Sequence, residues 1–454
     1  INITNKPTIA SLSMAILRSN FLEKSSCLPQ SNGKLENAIR SSLFGGRNEI
    51  FKPLVFGILG YDYNSLYPSA MLHDLPIGRP VYSLCKDLNK IFGFVKVRVK
   101  SPDNIYIPVL PVRIFTKSGG EKLIFPKGNW THWYYSEEVK LAVKYGYEVE
   151  IIESYIYERG IGVLKEYVNH MAMYKDNSSG AIKNIHKLLL NTPYGRLGMK
   201  VIRDVVKIVN YDKYVEILKK YKVFDFIRLS NDEFFVKHSK FPSKIACEQS
   251  ETNFEEEMLK GQDNDYVENS SAVASAIASI SRIIMYPWII DSAYTDTDSI
   301  YLPYKLPSNM VGKGLGKFKL ENGGMINKAM FISPKLYYLS TVNGEVSKTK
   351  GVSVEITKYD FITLLNGGSV NVEDERWYRS IEDDSVKVVK QNLFISGEYD
   401  KRNKLYSKGK WVDTSPLIIN ELFEIIPTDI VIYKSNDLIV YTPQNHNLCI
   451  ISMN

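Results

Sequence analysis

Two aspartates that are close in the sequence, Asp296 and Asp298, have the type and spacing of ligands for a divalent cation. They lie in the stretch 294–299 (Y-T-D-T-D-S), and apolar residues on both sides predict two short strands joined by a tight turn. Crowded carboxylates repel each other unless a proton or a cation neutralises one, and such hard oxygen ligands suit magnesium. The alternative is an ordinary Asp-rich hairpin, because motifs this short often occur without a function.

A third aspartate, Asp62, follows the apolar run Leu54–Leu59, which predicts a buried strand. The sequence around it, residues 61–69, is Y-D-Y-N-S-L-Y-P-S. A carboxylate where a buried strand ends and a turn begins is well placed to bind a metal. Asp62 could equally be a turn residue or a helix cap.

Residues 160–190 predict helix, and one face carries polar side chains at four-residue spacing: Lys183, Lys187 and Asn191, with Tyr194 on the same stripe and Lys175 two turns earlier. The ammonium groups could bind phosphates, or the face could simply be solvated. Pro193 lacks a backbone N–H group and restricts Thr192, so we expect the helix to kink or end there.

Basic residues recur beside glycines and aromatic residues. Gly45 and Gly46 precede Arg47, residues 313–317 read K-G-L-G-K, and Lys335 is followed by aromatic residues at the start of a predicted strand. This combination suits a nucleic-acid backbone and is also typical of a basic surface loop.

The 454 residues carry a formal net charge of +7, with 44% apolar and 24% charged residues, which indicates a globular protein of two to four compact units. The basic excess permits nucleic acid as a partner. The four cysteines lack the spacing of a zinc site or a disulfide framework, so a reducing compartment is the simplest inference. No apolar run reaches the ~18 residues of a membrane span, which predicts no membrane association.

Local patterns predict further elements. We expect a helix over residues 4–22 with Pro7 in its first turn, a connector over 23–40, and an exposed, mobile segment over 252–269. Other predicted elements are strands at 92–99, 105–112, 123–125 and 148–156, and helices at 136–145, capped by Ser136, and 273–284. The aromatic cluster at 130–135 is expected in the core.

Taken together and in order, four motifs resemble the family B DNA polymerases, protein-primed branch, as in phages and mitochondrial linear plasmids. They are D-x-x-S-L-Y-P-S at Asp62–Ser69, K-x-x-x-N-T-x-Y-G at Lys187–Gly195, Y-x-D-T-D-S at Tyr294–Ser299 and K-x-Y at Lys335–Tyr337. The resemblance covers residues 40 to about 355 well and the remainder loosely.

The resemblance implies an α+β, right-hand fold with palm, fingers, thumb and two insertions of the protein-primed type. The expected domains are a helix and connector to a missing exonuclease domain (1–40), the first part of the palm (41–75), an insertion that contacts the priming protein (76–157), the fingers (158–200), palm and a second insertion (201–270), the catalytic palm (271–355), and a thumb with a C-terminal tail (356–454).

The resemblance also implies roles for single residues in a two-metal phosphoryl transfer that adds deoxynucleotides to a primer 3′-hydroxyl. Asp62 and Asp298 would bind two Mg²⁺ ions, for which Mn²⁺ could substitute, with the carbonyl of Tyr63 as a further ligand and Asp296 as a supporting carboxylate. The implied nucleotide-binding residues are Tyr67, which would exclude a 2′-hydroxyl, Lys175, Lys183, Lys187, Asn191 and Tyr194. The implied primer or template contacts are Gly45, Gly46, Arg282, Ser299, Lys335 and Tyr337.

By the same resemblance the partners are primer–template DNA, deoxynucleoside triphosphates and a terminal (priming) protein. We expect a monomer in mitochondria that replicates a linear plasmid. Thr192 and Pro193 depart from the family pattern in the fingers motif, and Leu43 or Phe44 stands where a tyrosine is expected. The alternatives are a catalytically silent DNA- or priming-protein-binding remnant and, of another class, a reverse transcriptase.

Overall fold

The structure is a computed structural model. It describes residues 6, 8–22, 28–115, 120–200, 205–243, 246, 269–380, 385–427, 432–433, 438–440 and 449–451. The chain divides into two compact units, the first made of Ile1–Gly198, Ser270–Val372 and Leu393–Asn454, and the second of Met199–Asn269 and Glu373–Asn392.

In the described part of the chain the α-helices are α1 (Ile9–Asn20), α2 (Gly33–Ser41), α3 (Leu66–Ala70), α4 (Ser136–Lys144), α5 (Lys165–Asp176), α6 (Gly180–Leu197), α7 (Tyr211–Lys220), α8 (Ser271–Ile289) and α9 (Lys358–Leu365). Short 3₁₀ turns lie at Leu88–Lys90 and Ser308–Met310.

The strands in the same part are β1 (Asn48–Ile50), β2 (Leu54–Tyr63), β3 (Leu75–Ser83), β4 (Gly93–Lys100), β5 (Val112–Phe115), β6 (Glu121–Ile124), β7 (Lys127–Tyr135), β8 (Glu148–Gly160), β9 (Val205–Asn210), β10 (Tyr221–Arg228), β11 (Glu233–Pro242), β12 (Tyr294–Asp296), β13 (Ser299–Leu302), β14 (Phe318–Ser333), β15 (Leu336–Thr341), β16 (Gly344–Lys348), β17 (Ser369–Ser380), β18 (Ser385–Ser396), β19 (Arg402–Ser407), β20 (Lys410–Pro416), β21 (Ile418–Ile419), β22 (Ile425–Ile426), β23 (Ile432–Tyr433), β24 (Leu438–Val440) and β25 (Cys449–Ile451).

The first unit is built on a seven-stranded sheet in the order β1-β12-β13-β2-β14-β15-β16. Its central strand, β2, pairs antiparallel with β13 on one side and with β14 on the other. A second, six-stranded sheet has the order β22-β21-β7-β4-β8-β3. Buried side chains of both sheets, among them Tyr61, Val97 and Ile300, join in one hydrophobic core, so the two sheets hold each other in place.

Helix α8 runs through the core of the first unit. Its small residues, such as Ala274 and Ala278, are fully buried and allow close packing. Its length and composition would also let it cross a membrane, so the expectation that no segment reaches that limit was wrong. Because 78% of its most apolar window is buried inside the protein, α8 has the environment of a core helix.

The second unit has its own small core. Strands β9, β10 and β11 form a sheet in the order β10-β11-β9, and α7 packs against it. Tyr214 of α7 stacks on Phe234 with ring centroids 4.5 Å apart. Residues 373–392, from the β17–β18 hairpin, belong to the same unit.

Several predicted elements are confirmed, and the predicted α+β class is among them. The hairpin around Asp296, the strand before Asp62 and the helix at 136 are present, and Trp130, Tyr134 and Tyr135 are fully buried. Tyr135, rather than Ser136, occupies the helix N-cap position. Pro7 and residues 252–268 lie outside the described residues.

Two further predictions were wrong. The connector at 23–40 contains α2, and residues 105–111 are not a strand, although their apolar side chains fill the core. Of the two outcomes expected at Pro193, a kink or an end of the helix, the end does not occur, because α6 continues to Leu197. In each case packing against distant residues outweighs the local preference of the chain.

A buried ion pair attaches the hairpin β19–β20 to the loop between β1 and β2. Lys52 Nζ lies 2.5 Å from Asp413 Oδ2, and both side chains are less than a tenth exposed. Tyr106 donates a hydrogen bond to the other oxygen of Asp413. Removing one partner of such a pair leaves a buried charge uncompensated, which costs more than losing an exposed pair.

We therefore expect Lys52→Met to lower the free energy of unfolding by about 3 kcal/mol. The exposed pair between Lys100 and Glu148 supplies the control, because Lys100→Met should cost less than about 0.5 kcal/mol. Urea denaturation of both variants measures the difference. Equal losses would show that the Lys52–Asp413 pair does not stabilise the attachment of this hairpin.

Candidate active site

The central strand β2 carries Asp62 to the middle of the seven-stranded sheet. Asp62 is the ninth of ten residues in this strand and is partly buried. In the sheet register it lies opposite Ser299 of β13 on one side and Lys319 of β14 on the other. Its carboxylate is thus fixed between two neighbouring strands at the carboxyl end of β2.

The β12–β13 hairpin brings the other two aspartates to the same edge. Asp296 ends β12 and Asp298 lies in the turn. The backbone N–H of Tyr63 donates to the Asp298 carbonyl at 2.7 Å, and the N–H of Asp298 donates to the Asp296 carbonyl at 2.8 Å. These bonds join the turn to the end of β2, so Asp62 and Asp298 are neighbours.

The glycine pair Gly45–Gly46 lies against the turn between β12 and β13, and the structure explains why position 46 is a glycine. Thr297 has a φ of 64°, and its N–H donates to the carbonyl of Arg47 at 2.7 Å. A Cβ atom on Gly46 would lie 2.5 Å from Cγ2 of Thr297, whereas nothing lies within 4 Å of one on Gly45. Only a glycine at position 46 leaves room for Thr297 in the turn between β12 and β13.

Burial and neighbouring charges raise the pKa of two of these carboxyls. Burial, followed by the negative charges of Asp298 and Glu321, raises the pKa of Asp62 to about 6, although Lys319 and Lys187 oppose the shift. Burial, followed by repulsion from Asp296, also raises the pKa of Asp298. Both carboxyls are therefore hard to ionise without a nearby positive charge.

Asp296 interacts with two side chains of its own beside this pair. The Asn48 side-chain amide donates to its Oδ1 at 2.8 Å, and Nζ of Lys335 lies 3.5 Å from its Oδ2. Lys335 itself has a φ of 64°, and its N–H donates to the Tyr294 hydroxyl at 2.9 Å. The ring of Tyr337 lies 5.8 Å from that of Tyr294. The K-x-Y motif thus borders the carboxylates.

Helix α6 faces the same carboxylates. Lys187 is exposed, and its positive charge opposes the rise in the pKa of both Asp62 and Asp298. One turn later the Asn191 amide donates to the Lys187 carbonyl at 2.9 Å. Tyr194 stacks on Tyr67 with ring centroids 4.1 Å apart and planes 9° from parallel. Two predicted nucleotide-binding residues thereby form one flat aromatic pair.

Two other predicted lysines are placed differently. Lys183 is exposed one turn before Lys187 on α6. Lys175 is only 8% exposed, and its Nζ lies 3.4 Å from the Asp176 carboxylate. Lys183 therefore remains accessible to phosphates, whereas Lys175 is mostly enclosed by protein.

The structure does not place Arg282 on a surface where it could contact a template. Its five N–H donors are all used within the protein: two bonds reach the Glu138 carboxylate at 2.6 and 2.7 Å, and the others reach the carbonyls of Phe44 and Gly45 and the Ser279 hydroxyl. Its role in this structure is to fix the backbone immediately before Gly46.

Some residues at the site had no signal in the sequence. Asn48 orients Asp296, and Lys319 and Glu321 add charges of opposite sign beside Asp62. Their positions follow from pairing between strands that are far apart in the chain. Of these residues, Asn48 alone lies next to a motif that the sequence analysis considered, because it directly follows Gly45, Gly46 and Arg47.

Comparisons with known proteins identify the family to which this chain belongs. The sequence pattern of the family described as "DNA polymerase type B, organellar and viral" matches residues 1–294. A probable DNA polymerase of Podospora anserina is 29% identical over 99% of this chain and 39% of its own length. One of Neurospora intermedia is 31% identical over 87% of this chain and 41% of its own length. The chain thus spans about two fifths of these relatives.

The fold also resembles a solved structure. Phi29 DNA polymerase, complexed with primer-template DNA and incoming nucleotide substrates, matches 86% of this chain and 68% of its own with a TM-score of 0.63 and 19% identity. This likeness establishes a fold of the protein-primed family B type, as expected from the sequence. Since the family pattern covers 294 of the 454 residues, the chain belongs to the type B DNA polymerases of the organellar and viral group.

Proposed function

We propose that this chain is the polymerase part of a DNA-templated, protein-primed DNA polymerase that adds deoxynucleotides to a primer 3′-hydroxyl. The observation that carries the proposal is the convergence of Asp62 and Asp298 with Lys187 of α6. Phosphoryl transfer requires little covalent chemistry from the protein but needs positioned charges of both signs. This edge of the sheet offers both.

The carboxylates fit hard divalent cations. Burial, followed by the charge of Asp298, raises the pKa of Asp62, so a nearby cation would favour its ionised form, and Mg²⁺ prefers oxygen ligands. No group of three or more His, Cys, Asp and Glu side chains that could hold a metal occurs among the described residues. We infer that Asp62 and Asp298 share the ions with the Tyr63 carbonyl and with substrate phosphates, and that Asp296 supports them.

When bound, a pair of Mg²⁺ or Mn²⁺ ions stabilises the charge that develops on the attacking and leaving oxygens. Lys187 contributes a positive charge from α6. Lys183, one turn earlier on the same helix, is available to bind the outer phosphates. The flat face of the Tyr67–Tyr194 pair supports the sugar and the new base pair. Tyr67 lies close to Asp62 in the sequence, and its ring excludes the 2′-hydroxyl of a ribonucleotide.

The primer and template interact with the residues around this site. Lys335 is 61% exposed, so its ammonium could bind a primer phosphate. Ser299 pairs with Asp296 in the sheet register, Tyr337 follows Lys335 by two residues, and Gly45 offers open backbone. The template contact inferred for Arg282 becomes indirect, through the Phe44–Gly45 backbone that it holds.

The wider setting is proposed from the resemblance of the sequence motifs to the family. We propose that residues 41–75 and 271–355 are palm, 158–200 fingers and 356–454 thumb and tail, and that 76–157 and 201–270 contain the two insertions. The first insertion would contact a terminal protein. The substrate DNA would be a linear plasmid, the compartment the mitochondrion, and the working form a monomer.

The first prediction concerns the metal-binding carboxylate in the turn. Asp298→Asn should reduce magnesium-dependent primer extension by at least about a thousandfold, because the ions that would stabilise the transferring phosphoryl group lose a carboxylate ligand. Binding of primer–template DNA should change little. Asp103→Asn, which alters an exposed carboxylate of the six-stranded sheet region, is the matched control and should leave extension intact.

No extension by the parent chain, with DNA still bound, would favour a catalytically silent binding module. Equal loss of DNA binding and extension in Asp298→Asn would contradict a metal-binding role for this residue.

The second prediction concerns sugar selection. Tyr67→Val should admit ribonucleotides and lower the preference for deoxynucleotides by roughly one to two orders of magnitude, since the ring that blocks the 2′-hydroxyl is removed. Single-nucleotide insertion with each substrate measures the ratio, and Tyr359→Val, at a residue 79% exposed, serves as the control. An unchanged ratio would exclude Tyr67 from sugar selection.

The third prediction uses the raised pKa of Asp62, which means that the folded state disfavours its ionised form. This penalty is complete above about pH 6 and disappears as the pH falls towards 3.8, the ordinary pKa of an aspartate side chain. At pH 8 without divalent ions, Asp62→Asn should therefore have a higher Tm than the parent, and the difference should shrink at pH 5.

Added Mg²⁺ should raise the Tm of the parent at pH 8 and have little effect on Asp62→Asn. Differential scanning calorimetry provides both readings without relying on activity. The same Mg²⁺ effect on parent and variant would place the ion elsewhere.

A further inference from the structure

A proline lies inside the helix that carries the nucleotide-binding residues. Helix α6 runs from Gly180 to Leu197 with Pro193 in its interior. In an α-helix the N–H of residue 193 would donate to the carbonyl of Leu189, but proline has no N–H. Leu189 is only 7% exposed, so solvent cannot readily replace the missing donor.

A side chain from the preceding helix supplies the donor. The hydroxyl of Tyr167 on α5 donates to the Leu189 carbonyl at 2.7 Å, and the bond is buried. Tyr167 is 1% exposed, and Phe21 packs edge-on against its ring at 5.4 Å. Its hydroxyl also interacts with Ser13 of α1. The hydroxyl is therefore held where the absent helix bond would have been.

Leu189 lies between the groups that face the substrate. Lys187 and Asn191, joined by a hydrogen bond, are two residues to either side of it. Tyr194 follows within the next turn and stacks on Tyr67. If the Leu189 carbonyl lost its donor, this part of α6 would have to shift to satisfy it, and the three side chains would move together.

We propose that Tyr167 is a positioning residue of the nucleotide site, because its hydroxyl replaces the helix hydrogen bond that Pro193 removes. It acts through α6 and does not touch the substrate. The inference rests on the proposed polymerase function for its kinetic consequence, but the hydrogen-bond replacement itself is independent of activity.

The test is a double-mutant cycle of Tyr167→Phe and Pro193→Ala in the full chain. Tyr167→Phe should raise the KM for deoxynucleotides about tenfold, the order expected when a buried carbonyl loses its donor, with kcat changed less. Affinity for primer–template DNA should stay the same. In the Pro193→Ala background the alanine N–H can bond the Leu189 carbonyl, so Tyr167→Phe should have little further effect.

Tyr135→Phe is the matched control. Tyr135 is as deeply buried, but its hydroxyl has no hydrogen-bond partner among the described residues. This variant should leave KM unchanged, which separates the loss of a donor from the loss of a buried hydroxyl.

The Tm values of the same four proteins complete the cycle. Tyr167→Phe should lower the Tm more in the parent than in the Pro193→Ala background. Equal Tm losses in the two backgrounds would overturn the inference, whether or not the chain is active. An active parent whose KM is unchanged by Tyr167→Phe would also overturn it, whereas an inactive parent with a non-additive cycle would refute only the proposed function.

Discussion

The antiparallel pairing of β2 with β13 is the constraint on which the site depends. It places Asp62 opposite Ser299 and lets the backbone of Tyr63 bind that of Asp298, so two carboxylates are crowded at one edge of a central strand. Burial, followed by the neighbouring negative charges, opposes the ionisation of Asp62 and raises its pKa to about 6. The sheet therefore holds carboxylates of like charge together, and positive charge from Lys187 or from bound ions would offset this cost.

Support for this edge comes from deep inside the protein. Glu138 on α4 pairs with Arg282 on α8, Arg282 binds the carbonyls before Gly46, and Gly46 leaves room for Thr297 beside Asp298. These contacts lead from α4 to the turn between β12 and β13. A buried ion pair of this kind defines geometry more than it adds stability, because both charges lose their hydration.

The sequence predicted the parts of the site that are local. Asp62, the Asp296–Asp298 hairpin and the lysine helix each follow from a short motif whose geometry depends on neighbouring residues. The partners of these groups were not predictable, because Asn48 reaches Asp296 and Glu138 reaches Arg282 only through long-range packing. The same reason explains why α6 continues past Pro193, since the local rule against proline assumes that no side chain replaces its donor.

The two departures from the family pattern in the fingers motif bear on whether the chain is a decayed remnant. Thr192 donates its hydroxyl hydrogen bond to Ser13 at 2.9 Å, and the carbonyl that Pro193 leaves without a helix donor binds Tyr167. Both departures thus have partners on α1 or α5, and the helix continues through them with Tyr194 stacked on Tyr67. Substitutions without such partners would leave buried polar groups unpaired in α6, and at these two positions they are paired. The local structure of α6 is therefore intact and built with different contacts.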